Sequence, residues 1–251
     1  ELRLWDARIG RWLTTDPAGQ YSSPYLGMGN NPVNRIDSDG GKDNPVYDSQ
    51  GNFRGTTVEG FTGEAIIYDG NSDFSGLTKD QLIGNGGVYL SDFSFDNPLF
   101  RDQITSHISN FKLGDGLDIN TSVTINSKIN DEYLFKATGS KENLVVTRAL
   151  DKNGNSISDG YYKPTVENLR NIINIHEVRG HQLDGITDES IHYLIVLKQI
   201  NHPQFQSTTE DFQGATLHKL YELNPSILNN QRLNGLYYNI GYPWWVNFNN
   251  N

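Results

Sequence analysis

Pro164-Thr165-Val166-Glu167-Asn168-Leu169-Arg170-Asn171-Ile172-Ile173-Asn174-Ile175-His176-Glu177-Val178-Arg179-Gly180-His181 is the stretch from which the C-terminal part of the chain can be read. Thr165 is a good helix N-cap, and Pro164 just ahead of it is compatible with a helix start. Leu169, Ile172, Ile173 and Ile175 mark a buried side. The expected helix therefore carries His176 and Glu177 toward the interior, where an uncompensated charge is costly. Imidazole is the commonest metal ligand, and a carboxylate beside a bound metal can take a proton from water.

The spacing poses a geometric problem. In the H-E-x-x-H motif of zinc proteases the two histidines are four apart and differ by about 40° around an α-helix. His176 and His181 are five apart and differ by about 140° on the same geometry. A regular α-helix would not aim both at one ion. A π-bulge or a local break between them restores the alignment, and Gly180 is expected to supply the backbone freedom for it.

A catalytic zinc takes three protein ligands plus water. Five of the six histidines lie between residues 176 and 218. Asp188 to Leu197 reads as a second helix capped by Thr187 or Asp188, and His192 sits one turn after Asp188 on the same face. His192 is the choice for third ligand, with Asp188 or Glu189 as alternatives; Asp188 can instead orient an imidazole. His202, before Pro203, and His218, in a helix expected over Thr209–Leu223, read as packing residues, with holding a substrate oxyanion as the alternative for either. His107, on an amphipathic helix expected over Pro98–Leu113, also reads as structural.

The rest of the chain bounds the answer. With 251 residues it can bury a sizeable core. It has no cysteine, which excludes disulfides, thiol nucleophiles and cysteine-bound zinc. A formal net charge of -10 disfavours nucleic acid as a partner, because phosphate contact needs clustered Lys and Arg. No apolar run reaches the length of a membrane span. The chain begins at Glu1 without a signal-peptide pattern and reads as part of a longer polypeptide.

Between residues 42 and 160 the reading is linker and strands. A hairpin is expected around Asp48-Ser49-Gln50-Gly51-Asn52 and a tight turn at Asp151-Lys152-Asn153-Gly154-Asn155. Strands are expected at Glu64–Tyr68, around Val123 and Ile125, at Tyr133–Thr138 and at Asn143–Arg148, with a short helix capped by Thr78. The fold class is then α+β: a loop- and strand-rich N-terminal half followed by a mainly helical, zincin-like half. Pro243-Trp244-Trp245 in the tail is expected to cover the core.

The segment Trp5-Asp6-Ala7-Arg8-Ile9-Gly10-Arg11-Trp12-Leu13-Thr14-Thr15-Asp16-Pro17, followed by Tyr25 and by Asn30-Asn31-Pro32-Val33-Asn34-Arg35-Ile36-Asp37-Ser38-Asp39-Gly40, reads locally as strand–turn–strand and then turns. It resembles the end of the Rhs (YD-repeat) core, where a β-rich cocoon meets a variable C-terminal toxin. In that family two aspartates near the junction help to cut the chain; Asp16 and Asp37 or Asp39 match by position. Ser38 stands where the family usually has Pro, and the hydrophobic residue that marks the cut is absent after Gly40, so these aspartates are read as turn residues. The resemblance implies a core junction over residues 1–41 and a toxin domain over 42–251, with the catalytic helical part at 161–251.

His176-Glu177-Val178-Arg179-Gly180-His181 is similar to the H-E-x-x-G-H zinc motif of the dipeptidyl-peptidase III metallopeptidases. It resembles more closely the H-E-x-x-G-H toxin domains at the ends of Rhs proteins in Bacteroidetes. These resemblances imply zinc held by His176 and His181, with Glu177 as general base. The expectation is a secreted effector, or one delivered into a target cell, that cleaves a protein substrate. A cognate immunity protein and the Rhs cocoon of the parent chain are its expected partners. Other metal-dependent hydrolysis, by a nuclease or a cell-wall amidase, and a non-enzymatic binding module are the competing readings.

Overall fold

The computed structural model describes residues 44–58, 60–74, 76–129 and 134–250, together with the backbone of 5–6 and 11–12. Asp16, Asp37, Asp39 and Gly40, with the question of self-cleavage, lie outside the described residues. The chain divides into two compact units, Glu1–Asp118 and Ile119–Asn251.

In the first unit, β1 (Trp5–Asp6) and β2 (Arg11–Trp12) pair antiparallel, Trp5 opposite Trp12. A second sheet has the order β4-β3-β5-β6, from β3 (Pro45–Tyr47), β4 (Phe53–Thr56), β5 (Ile66–Ile67) and β6 (Val88–Tyr89). The β3–β4 hairpin turns because the Asp48 carboxylate accepts the amides of Gln50 and Asn52 while Gly51 takes a left-handed φ of 82°. Helix α1 (Lys79–Gly84) starts in a capping box between Thr78 and Gln81. Val46, Ile66, Tyr68, Phe74 and Leu82 form a core. Helix α2 (Pro98–Asn110) buries Ile104 and Ile108. His107 on α2 bonds the Tyr47 hydroxyl at 2.8 Å and packs among Phe53, Phe61 and Phe111, a structural role.

The second unit opens with a three-stranded sheet of order β7-β9-β8. Its strands are β7 (Ser122–Ile129), β8 (Phe135–Gly139) and β9 (Asn143–Leu150). β7 runs parallel and β8 antiparallel to the central β9. Alternation turns Val123 and Ile125 inward and Ser122 and Thr124 outward. The sheet therefore shares a unit with the helices beyond residue 160.

Those helices begin with α3 (Val166–Arg170), whose Thr165 cap accepts the Asn168 amide. α3 continues without interruption into a π-helix, Asn171–Leu183. A 3-10 turn (Glu189–Ile191) leads to α4 (Tyr193–Asn201), so the single helix expected over 188–197 is two pieces. Asp188 caps the first piece through the Ser190 amide. Then follow α5 (Glu210–Leu223), capped by Thr209, α6 (Gln231–Leu236) and α7 (Tyr242–Asn250). Val196, Ile200, Phe205, Phe212, Leu217 and Leu220 centre the core between them. With sheets in the N-terminal half and helices in the C-terminal part, the fold is α+β.

α7 contains no buried residue; Trp245 lies stacked on His218 at 4.1 Å and stays 36% exposed. Trp244 covers Gly214 of α5, where a Cβ would collide with it. The tail aromatics lie over α5 rather than inside the core.

Gly180 has a different physical reason from the one expected. It is not among the glycines with left-handed φ. A Cβ at 180 would meet Ile195 Cγ2 of α4 at 2.5 Å and Cγ1 at 2.9 Å, so the missing side chain lets α4 approach the π-helix. Gly180→Ala should therefore destabilise the protein by about 1–3 kcal/mol through overpacking. In an Ile195→Ala background the same change should become neutral or stabilising, because Ala is the better helix former by about 1 kcal/mol. Urea denaturation of the four proteins in this cycle checks it.

Candidate metal centre

The site follows from the winding of the π-helix. Its hydrogen bonds span five residues, as in the Asp184 amide donating to the Arg179 carbonyl at 2.9 Å. Residue i+5 then stacks over residue i, as i+4 does in an α-helix. His176 and His181 come onto one side, with ring centres 5.1 Å apart. The 3-10 turn ahead of α4 brings in His192, 5.0 Å from each of the other two rings. One nitrogen from each ring lies within 4.8 Å of the other two, and all three residues are half-buried.

The second nitrogen of each ring is already engaged. His181 Nδ1 donates to the Ile186 carbonyl at 2.6 Å. His192 Nδ1 donates to the Glu189 carboxylate at 3.3 Å. His176 Nδ1 donates to Gln199 Oε1 at 2.8 Å, and Gln199 Nε2 donates in turn to Asn171 Oδ1 at 3.0 Å. With three protons placed on Nδ1, the three Nε2 atoms present lone pairs to a common point. His176 Nε2 and His192 Nε2 stand 2.9 Å apart, within hydrogen-bond reach, so a proton shared between them has to leave before both can bind one ion.

The residues fit a metal ion. With metal–nitrogen bonds of about 2.0–2.1 Å and ring centres about 1.2 Å further out, tetrahedral angles put imidazole centres about 5.2 Å apart. The observed triangle of 5.0–5.1 Å matches that spacing. A three-imidazole set does not single out zinc, since imidazole suits zinc, copper, iron and nickel alike.

Burial favours the neutral, metal-binding form of His176 and His181. Burial pulls His176 down to about 3, against the Gln199 hydrogen bond, with His192 and His181 adding to the fall. Burial also lowers His181, opposed by the Ile186 carbonyl.

Glu177 leaves the π-helix toward a different neighbour. Its Oε2 accepts the Ala137 amide of β8 at 3.0 Å, and Gln182 donates to the Ala137 carbonyl at 2.9 Å. β8 is a sheet edge, so these two side chains satisfy an outward-facing peptide unit that β9 does not reach. Burial raises the Glu177 carboxyl to about 7, and the Ala137 hydrogen bond only partly opposes this. Burial also raises the Tyr162 phenol, with the Glu177 charge adding to it; its hydroxyl is buried without a partner.

Of the other residues singled out from sequence, Asp188 caps the 3-10 turn and Glu189 backs His192. His202 Nδ1 accepts the Gln204 amide at the next turn. His218 packs between Trp245 and Tyr237, with Glu222 3.5 Å away. Gln199, Asn171 and Ala137 were not singled out. Gln199 carried a signal: it is a polar residue seven positions after His192, two helical turns on, on the side of the helix that carries Ile195 and Val196 inward. Ala137 carried none, because an edge-strand peptide group is not encoded by side-chain type.

No family model matches the chain, and no solved structure matches it. A stretch of 38 residues, 15% of the chain, is 55% identical to part of Salivary gland surface protein 1 of Aedes aegypti. That match spans 1% of the salivary protein's length.

The Glu177 carboxyl has a pH signature. Its folded value, about 7, lies above its ordinary value of 4.5, so the folded protein binds the extra proton between those pH values. The Glu177 contribution to stability of the metal-free protein should fall as pH rises through this window, by about 3 kcal/mol, while the buried His176, held at about 3, contributes in the opposite direction. Glu177→Gln should remove that slope, so that the variant matches wild type at pH 4.5 and exceeds it at pH 8 in urea denaturation.

Proposed function

We propose that this chain carries a zinc metallopeptidase, the effector tip of a secreted or cell-delivered toxin of the Rhs type. The observation that carries the reading is the convergence of three Nδ1-anchored imidazoles on one point, next in sequence to a buried carboxyl held near neutrality. His176, His181 and His192 would hold the ion. A bound zinc supplies Lewis acidity, which polarises a carbonyl and acidifies water.

The chain's own residues account for the proton movements. Glu177 accepts a proton as water attacks the peptide carbonyl carbon, and the Ala137 amide steadies its Oε2. It returns that proton to the departing nitrogen as the C–N bond breaks, so water is divided between the new acid and the new amine. A carboxyl titrating near neutral pH suits both halves of this cycle. In the toxin setting a cognate immunity protein blocks the site in the producing cell, and the cocoon of the parent chain encloses the tip. Among the described residues no helix is long and apolar enough to cross a membrane.

Purified protein should contain one metal ion per chain and cleave protein rather than DNA or peptidoglycan. Glu177→Gln should keep the metal and lose at least about 100-fold in activity. Full activity in Glu177→Gln, or cleavage of DNA or peptidoglycan in place of protein, would sink this reading.

A further inference from the structure

The three Nδ1 anchors are not equivalent. Ile186 offers a backbone carbonyl, which has one orientation and cannot donate. Glu189 offers a carboxylate that is 77% exposed. Gln199 offers an amide that is 2% exposed, and an amide has two faces. Turned one way its oxygen accepts Nδ1–H from His176, and the metal-facing Nε2 keeps its lone pair. Turned the other way its NH2 donates to Nδ1, the ring proton moves to Nε2, and His176 cannot bind a metal.

What favours the productive face is Asn171. Its Oδ1 accepts from Gln199 Nε2 at 3.0 Å, so turning Gln199 alone would set two oxygens against each other. Asn171 is completely buried, and its own Nδ2 has no partner.

We propose that Gln199, oriented by Asn171, is the positioning residue that keeps His176 in its metal-binding tautomer. This rests on the reading of His176 as a ligand. Gln199 and Asn171 touch neither the ion nor substrate.

The test is Zn2+ affinity of the full chain, measured by competition with a chromogenic chelator, with far-UV circular dichroism confirming the fold. Gln199→Met, which keeps length and removes the acceptor, should weaken binding about 10–100-fold. Asn171→Ala should weaken it in the Gln199 background. In a Gln199→Glu background Asn171→Ala should have no effect on affinity, because a carboxylate has no wrong face. A general loss of packing would not be rescued this way, and this comparison stands even if Gln199→Met fails to fold. If wild type binds Zn2+ through His176 but Asn171→Ala costs the same in both backgrounds, or nothing in either, the positioning role is overturned and the ligand reading survives. If His176→Ala binds Zn2+ as tightly as wild type, both fall.

Discussion

The i→i+5 hydrogen bond is the constraint from which the site follows. An α-helical Asn171–Leu183 would send His176 and His181 to different sides of the rod, about 140° apart. Closing each turn one residue later stacks them instead, at 5.1 Å between ring centres. The wider turn has fewer favourable contacts along its axis and is rarely adopted in long runs. Here it runs for 13 residues and is gripped from two sides within its unit, by β8 through Glu177 and Gln182 and by α4 through Ile195 and Gln199.

Those two grips divide the chemistry. The α4 side takes His176, and its neighbouring 3-10 turn delivers His192. Burial favours the neutral form of His176 and His181, and each of the three imidazoles turns its Nδ1 to an oxygen. The β8 side takes Glu177, whose burial makes the protonated form accessible near neutral pH. One short helix thus presents imidazoles on one side and a buried carboxyl on another. Two adjacent residues, His176 and Glu177, face these different environments because successive helix positions diverge.

Much of this was legible in residue types. Thr165, Thr78 and Thr209 cap helices through side-chain oxygens that accept the amide three residues on, and each was readable from its place before an apolar pattern. The alternation of Val123 and Ile125 marked β7, and Asp48 and Asp151 marked their turns. The five-residue histidine spacing raised the question of winding, and the structure answers it with a π-helix longer than one turn. What was not legible depended on tertiary approach. Gly180 looked like a hinge because only its backbone freedom is visible in sequence; its function is to admit Ile195. That Trp244 and Trp245 would cover other residues was readable from their size, but that they cover α5, with Trp244 over Gly214 and Trp245 on His218, was not. The partner of Glu177 is a peptide group of an edge strand, which any residue at 137 would provide.

The most direct test of the central claim, that π-winding aligns His176 and His181 so that with His192 they surround one ion, is a crystal structure of zinc-loaded protein with anomalous diffraction recorded at the zinc edge. The account predicts one strong peak in the second unit, bonded to Nε2 of all three histidines at about 2.0–2.1 Å, with residues 171–183 hydrogen-bonded i→i+5. A zinc ion bound by Nδ1 atoms or by other side chains, or an α-helical 171–183 with His176 and His181 pointing apart, would contradict it.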